Sequence, residues 1–289
     1  MLYKIVVVII IISIIYTTII GLEMSFNDAK EKSKQALVKN FTVTLSLLPV
    51  FKYYSTTCRK FIELLDFISS IYDANISMYH NPKISIKIFQ LSTDPGIAWD
   101  RFLYIVKYAK QRKIFIWISA VTRNTLNYEY SFFIKVRKLG FNNVGLTLST
   151  YNSSVHCKLN TVLNMGGNVR LVKGVYSGDI ADWSIVTNNY LICAKKLINS
   201  GNYHTLATHD FDILLKLYHY RPNFINTIDL AFFHHAEDYV NHMLMKMPFV
   251  PKYKTFYIAY GNYSDYLQSN IFNVDIARSF KRRMRGALY

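Results

Sequence analysis

Seven short runs rich in β-branched and aromatic residues fall at 84–89, 114–118, 144–148, 169–172, 205–207, 228–232 and 256–259. Between them lie amphipathic stretches long enough for helices, such as 99–111 and 128–139. Strand then helix, repeating at roughly 25 to 30 residues, implies parallel strands joined by right-handed crossovers. Two α/β architectures accept this order. A doubly wound sheet wants a Gly-x-Gly-x-x-Gly turn after an early strand, and the sequence has none. A closed (β/α)8 barrel of the TIM type fits better, with its chemistry at the C-terminal ends of the strands. The pattern assigns seven of its strands and leaves the eighth unplaced. We therefore expect a barrel over 81–289, preceded by a helical arm over 23–80, where Leu64, Leu65, Ile68 and Ile71 recur at helical spacing.

Residues 5–21 are almost unbroken aliphatics, relieved by Ser13, Thr17 and Thr18. The run approaches the roughly 20 residues a helix needs to cross a bilayer. A cleaved signal peptide would have a shorter apolar core and a small-x-small site, which Ile20-Gly21-Leu22 does not supply. Residues 1–22 thus read as a single-pass transmembrane anchor, making the membrane the first expected partner. Only Lys4 precedes the run, whereas Lys30, Lys32, Lys34 and Lys39 follow it. That asymmetry places the folded domain on the cytoplasmic, or matrix-like, side. The Asn-x-Ser/Thr triplets at Asn40, Asn75, Asn152 and Asn262 would matter only in the opposite topology.

A net charge of +16 invites a nucleic-acid reading. However, Lys, Asn, Ile and Tyr are all abundant, as an AT-rich coding sequence would make them, so nucleic acid is not the expected partner. The cysteines, Cys58, Cys157 and Cys193, form no CxxC pair and read as reduced thiols, and neither Cys157 nor Cys193 has a nucleophile's adjacent base. His234, His235 and His242, with Glu237 and Asp238, match no zinc spacing and read as solvated helix residues, so no metal is expected. The basic run 281–285 reads as a solvated helix face.

The run Arg170-Leu171-Val172-Lys173-Gly174-Val175-Tyr176 carries most of the functional signal. Side chains alternate along a strand, so Arg170, Val172 and Gly174 face one way, and Leu171 and Lys173 the other. A cation within such a run is costly unless something polar or anionic meets it. A glycine at the strand end lets a bulky ligand approach the backbone. Other strand ends add Lys87, then Thr208 and His209, then Tyr257, Tyr260 and Gly261. Cations, a histidine and tyrosines on one rim suit a large, flat, phosphate-bearing cofactor.

Arg-Leu-Val-Lys-Gly-x-Tyr at 170–176, Ala-Thr-His at 207–209 and Tyr-x-x-Tyr-Gly at 257–261 together resemble the proline dehydrogenase family. The order and spacing agree over roughly 83–286. The resemblance implies a distorted barrel holding FAD, which oxidises L-proline to pyrroline-5-carboxylate and passes electrons to membrane quinone. It implies cofactor contacts for Arg170, Val172, Lys173, Gly174, Thr208 and His209, with Arg170 near the flavin's reactive nitrogen. It implies substrate-side roles for Lys87, Tyr176 and Tyr257. The family grips the proline carboxylate with an arginine pair in a Tyr-x-x-Arg-Arg pattern. Here Ser269, Phe272 and Asn273 stand at those positions, and the first arginine after Gly261 is Arg278. Ser119 replaces an aspartate, Ser149 a flavin-binding glutamine and Phe233 a pocket leucine. The expectation is a proline dehydrogenase-like flavoprotein of weak or lost activity, with a structural or partner-binding role. The alternative is an active flavin oxidoreductase on proline or a changed substrate.

Overall fold

The computed structural model describes residues 24–48, 54–120, 125–173 and 178–261. Eight parallel strands close into one barrel in sequence order. They are β1 (Thr42–Leu47), β2 (Lys83–Ile86), β3 (Ile116–Ala120), β4 (Val144–Ser149), β5 (Val169–Val172), β6 (His204–Ala207), β7 (Ile228–Phe233) and β8 (Tyr253–Tyr260). Helix α1 (Phe26–Val38) precedes β1, and α2 (Tyr54–Ser70) joins it to β2. The later crossovers are α3 (Pro95–Gln111), α4 (Leu126–Lys138), α5 (Val155–Asn164), α6 (Trp183–Ser200), α7 (Phe211–Tyr220) and α8 (Glu237–Lys246). Several helices begin where the sequence supplies a cap. Ser25 and Asp28 form a capping box on α1, Asp94 caps α3 ahead of Pro95, and Asp182 and Asp210 cap α6 and α7.

The strand left unplaced by the sequence is β1, inside the segment expected to be a helical arm. It pairs with both β2 and β8 and so closes the barrel. Thr42-Val43-Thr44-Leu45-Ser46-Leu47 alternates with a period of two, the one local signal for a strand, but it is short and flanked by helical patterns. The other observed strands lie where the periodicity put them, within a few residues at each end. The apolar stretch 5–21 and everything after Gly261, including Ser269, Phe272 and Asn273, lie outside the described residues. Among the described residues no helix is long and apolar enough to cross a membrane.

Register divides each strand into two faces. Val43, Leu45, Ile84, Ile86, Ile116, Ile118, Leu146, Leu148, Leu171, Leu206, Leu230 and Ile258 are buried and face outward, packing with the helices. The opposite row runs through aligned partners Thr44–Lys83, Ser85–Trp117, Ser119–Thr147, Thr147–Arg170, Arg170–Thr205, Thr205–Asp229 and Tyr257–Thr44. The barrel interior is therefore polar and charged, with the aliphatic core in the ring between strands and helices. Gly145 sits opposite Trp117, and a Cβ there would overlap the indole. Glycine at this point admits the large ring to the lumen.

The N-terminal end of the barrel is closed by aromatic rings. Tyr79 stacks on Tyr203 at 4.8 Å, His80 on Tyr253 at 3.4 Å, and Phe115 meets Trp117 edge-on at 4.9 Å. Within this end Asp229 accepts hydrogen bonds from Tyr203 at 2.8 Å and from Thr255 at 2.7 Å. The Lys83 ammonium, wholly buried, stands 3.7 Å from the Asp229 carboxylate. Burial lowers the Lys83 pKa, and Asp229 acts in the opposite direction, favouring the ammonium.

One expectation about the cysteines changes. Cys193 does have an adjacent base, the His156 Nδ1 at 3.5 Å, delivered from α5 across to α6. Burial pushes the Cys193 thiol up to about 12, so it stays protonated and acts as packing.

The closed N-terminal end makes a direct prediction. Asp229→Ala strands the Lys83 ammonium in the lumen and should cost about 3–5 kcal/mol in urea unfolding. The double variant Lys83→Met/Asp229→Leu should recover most of that loss. Equal losses in the single and double variants would show that the charge pair is not what the lumen depends on.

Candidate functional site

The C-terminal strand ends gather the residues singled out from the sequence. Arg170 points into the lumen from β5 and is 4% exposed. Its Nε donates to Thr147 Oγ1 at 3.0 Å on β4, and its Nη2 donates to Ser85 Oγ at 3.2 Å across the barrel on β2. Its guanidinium carbon also lies 4.8 Å from the centre of the Tyr257 ring on β8. One side chain thus ties together three separate strands. Burial lowers the Arg170 pKa, though its ordinary value is high enough to keep the charge.

Lys87 lies one residue beyond β2, at the start of a 3-10 turn over Ile88–Gln90, rather than within a strand. Gln90 fixes that turn, accepting from the Lys87 amide at 3.1 Å and donating to the Leu47 carbonyl at 2.8 Å. Lys87 is buried, and among the described residues neither it nor Arg170 has a carboxylate within ion-pair distance. Their joint effect is visible at Tyr257. Burial alone would raise that phenol, but the Lys87 and Arg170 charges, with Ser46 and Ser85 as hydrogen-bond partners, bring it below its ordinary value.

An aromatic wall continues from Tyr257. Phe233, at the end of β7, meets Tyr257 edge-on at 5.8 Å and stacks on His209 at 5.6 Å. His209 Nε2 accepts the Phe233 amide at 3.1 Å, so the histidine clamps the end of β7. Thr208 is buried, and its Oγ1 accepts the Asp210 amide at 3.1 Å. Val172 lies in the inward row two residues beyond Arg170, between Ser149 and Ala207. Gly174 and Tyr176 lie outside the described residues.

Lys173 is held differently from the sequence expectation. Its ammonium meets Asp210 at 2.5 Å and lies 3.9 Å over the Trp183 ring. Burial lowers its pKa and Asp210 raises it. The cation that the resemblance gives to a cofactor is already paired with a protein carboxylate. The second oxygen of Asp210 caps α7 through Ile213. Its partnership with Lys173 comes from the barrel bringing β5 beside β6, which no local pattern reveals. The same is true of Thr147 and Ser85 as supports for Arg170.

The residues present fit an electron-rich cofactor on one side. Two buried cations with no carboxylate of the described residues at contact distance would stabilise negative charge developing between them and Tyr257. On the phosphate side, Lys173 would have to leave Asp210 to meet an anion. The Tyr257 environment gives a check. The alkaline difference titration of wild type minus Tyr257→Phe should show one phenol ionising below pH of about 10. In Arg170→Met that phenol should move upward. An unmoved titration would show that the guanidinium does not govern this pocket.

No family profile and no curated protein match the sequence. Solved structures do match in fold. Proline utilization A (PutA) from Bdellovibrio bacteriovorus, in a form inactivated by N-propargylglycine, superposes with a TM-score of 0.72 at 15% identity. That match covers 86% of this chain and 31% of that one. PutA from Corynebacterium freiburgense gives a TM-score of 0.71 at 13% identity, covering 94% and 32%. PutA from Bradyrhizobium japonicum, as the D779W mutant, gives 0.66 at 15%, covering 82% and 29%. The chain spans about a third of the length of these proteins. What they share with it is the fold, a (β/α)8 barrel of the kind found within proline utilization A.

Proposed function

We propose that this barrel is a proline dehydrogenase-like flavoprotein whose mouth holds FAD and whose hold on proline is weakened or lost. The observation that carries the reading is the convergence of Arg170 and Lys87, both buried and, among the described residues, neither paired with a carboxylate, on Tyr257. FAD would supply two-electron oxidising capacity there. Arg170 and Lys87 would favour negative charge on an electron-rich ring, and Thr147 and Ser85 would keep the guanidinium in place. Thr208 and His209 would shape the adjoining rim, and Lys173 would exchange Asp210 for a phosphate oxygen. Tyr257 and Phe233 would wall the substrate side.

The loss of the proline grip rests on sequence. No arginine occurs between Gly261 and Arg278, so the family's carboxylate clamp has no counterpart at the aligned positions. Removing one partner of a buried hydrogen-bonded charge pair costs about 2–5 kcal/mol or more, and here both arginines are replaced. A barrel so altered would serve as a structural or partner-binding flavoprotein, held at a membrane by the apolar run 5–21. One observation favours a second reading, an active enzyme on a substrate without a carboxylate. The Phe233 and Tyr257 wall is aromatic, and Ser119 and Ser149, buried on the inward rows of β3 and β4, add hydroxyls rather than charges to the lumen.

The visible spectrum of the purified protein, with FAD added and proline introduced anaerobically, tests these readings together. We expect flavin absorbance and little bleaching by proline. Rapid bleaching would restore a working proline enzyme, and a protein that stays colourless in excess FAD would end the flavin reading. Lys173→Met should weaken FAD binding. Asp210→Asn, which keeps an oxygen for the helix cap while freeing Lys173, should tighten it several-fold; equal affinities in the two variants would remove Lys173 from the site.

A further inference from the structure

Closing the N-terminal end of the barrel requires rings, and two features there go beyond that need. The first is Trp117. It lies in the inward row beside Ser85, whose hydroxyl holds the Arg170 guanidinium. Gly145 leaves room for it, since a Cβ there would overlap the indole. A smaller residue at 117 with a side chain at 145 could fill the same space, and the chain instead keeps the large ring and a glycine within a strand. The second is the Tyr203 hydroxyl. It donates to Asp229 Oδ2 at 2.8 Å, with Thr205 Oγ1 at 3.2 Å. A phenylalanine would fill the stack as well and would need no carboxylate.

These rings form a column. The Trp117 indole lies 6.1 Å from the Tyr203 ring, with 30° between their planes. Tyr203 in turn stacks on Tyr79 at 4.8 Å and 21°. Tyr79 and Tyr203 are both half-buried, so the column leads from the lumen beneath Arg170 to the surface of the N-terminal end. Indole and phenol are the neutral side chains that give up one electron most easily. Electrons pass between such rings at near contact, and an indole radical cation oxidises a phenol when the phenolic proton can leave. Here the proton has a defined destination. The Lys83 ammonium is 5.8 Å from the centre of the Tyr203 ring, so a positively charged phenol radical would be repelled. Asp229, held by Thr255 at 2.7 Å, is the acceptor already hydrogen-bonded to that phenol.

We propose that Trp117, Tyr203 and Tyr79 form a redox relay that carries oxidising equivalents from the lumen to the N-terminal surface, with Asp229 as its proton acceptor. A one-electron oxidant at the mouth, of which light-excited oxidised flavin is one class, takes an electron from Trp117 and is reduced by one electron. Tyr203 gives an electron to the indole radical cation and its phenolic proton to Asp229. Trp117 is restored, and Tyr203 is left as a neutral radical. Tyr79 then supplies an electron to Tyr203, whose proton returns from Asp229, and releases its own proton to solvent. A thiol in solution gives Tyr79 a hydrogen atom and becomes a thiyl radical. The sum is one electron moved from the thiol to the oxidant and one proton released. The end that closes the barrel thereby also drains it of oxidising equivalents.

The relay does not rest on the flavin reading, and flash photoionisation of Trp117 in the full chain tests it without added cofactor. The sequence has three tryptophans, so Trp99→Phe and Trp183→Phe leave Trp117 as the one excited. Nitrous oxide takes up the ejected electron. We expect the indole radical to decay into a tyrosyl radical in a first-order step independent of protein concentration. Tyr203→Phe, which keeps the ring stack, should abolish that conversion. Lys83→Met/Asp229→Asn, which removes the proton acceptor without stranding the ammonium, should slow it several-fold, and heavy water should slow it with Lys83 and Asp229 in place. Tyr79→Phe should leave the conversion intact and lengthen the life of the tyrosyl radical in added thiol. An indole radical that decays with no tyrosyl signal would overturn the proposal. So would a conversion unchanged by Tyr203→Phe, or one indifferent to both the double variant and heavy water, as expected of rings that only pack. A protein colourless in excess FAD that shows the conversion loses the flavin reading and keeps the relay; a yellow protein without it does the reverse.

Discussion

Arg170 lies inside the barrel with its charge held by hydroxyls of Thr147 and Ser85, and the rest of the molecule is arranged around that fact. A guanidinium in a lumen needs polar partners on several strands at once, and the inward row provides them. Strand order and register do this by aligning Ser85, Thr147 and Arg170 with their neighbours around the ring. The aliphatic residues are displaced to the outward face, where they meet the helices. Below Arg170 the aromatic plug and the Lys83 and Asp229 charges close the N-terminal end. Above it the lumen opens toward Lys87, Tyr257 and Phe233. A single buried cation thus separates a structural end of the barrel from a chemical one.

Much of this was legible because strands and helices leave different periods in a sequence. The seven later strands could be read from short β-branched runs. Strand β1 was hidden because its inward face is Thr42, Thr44 and Ser46. A strand whose polar face points inward reads locally as a surface segment, and only ring closure with β8 gives it a buried role. At the site, alternation showed that Arg170 and Leu171 face opposite ways, and closure of the barrel makes Arg170 the inward one. The capture of Lys173 by Asp210 and Trp183 had no such signal, because it joins residues 37 apart on two neighbouring elements.

The rim combines features that pull in opposite directions. Arg170, Lys87 and Tyr257 give the rim an electropositive character that suits an electron-rich cofactor, while Ser119 and the arginine-free stretch after Gly261 stand where the sequence resemblance implies an aspartate and an arginine pair. The fold shared with the PutA structures is indifferent to that distinction, because function resides in the site and not in the barrel. In the function proposed above, the pattern is that of a cofactor cradle whose substrate side has been rewritten.

The reduction potential of bound flavin tests this account most directly. If Arg170 stabilises negative charge at the mouth, Arg170→Met should lower the two-electron potential by about 30 mV or more, the equivalent of about 1.4 kcal/mol. A flavin whose potential is unchanged by the substitution, or a protein that binds none, would contradict it.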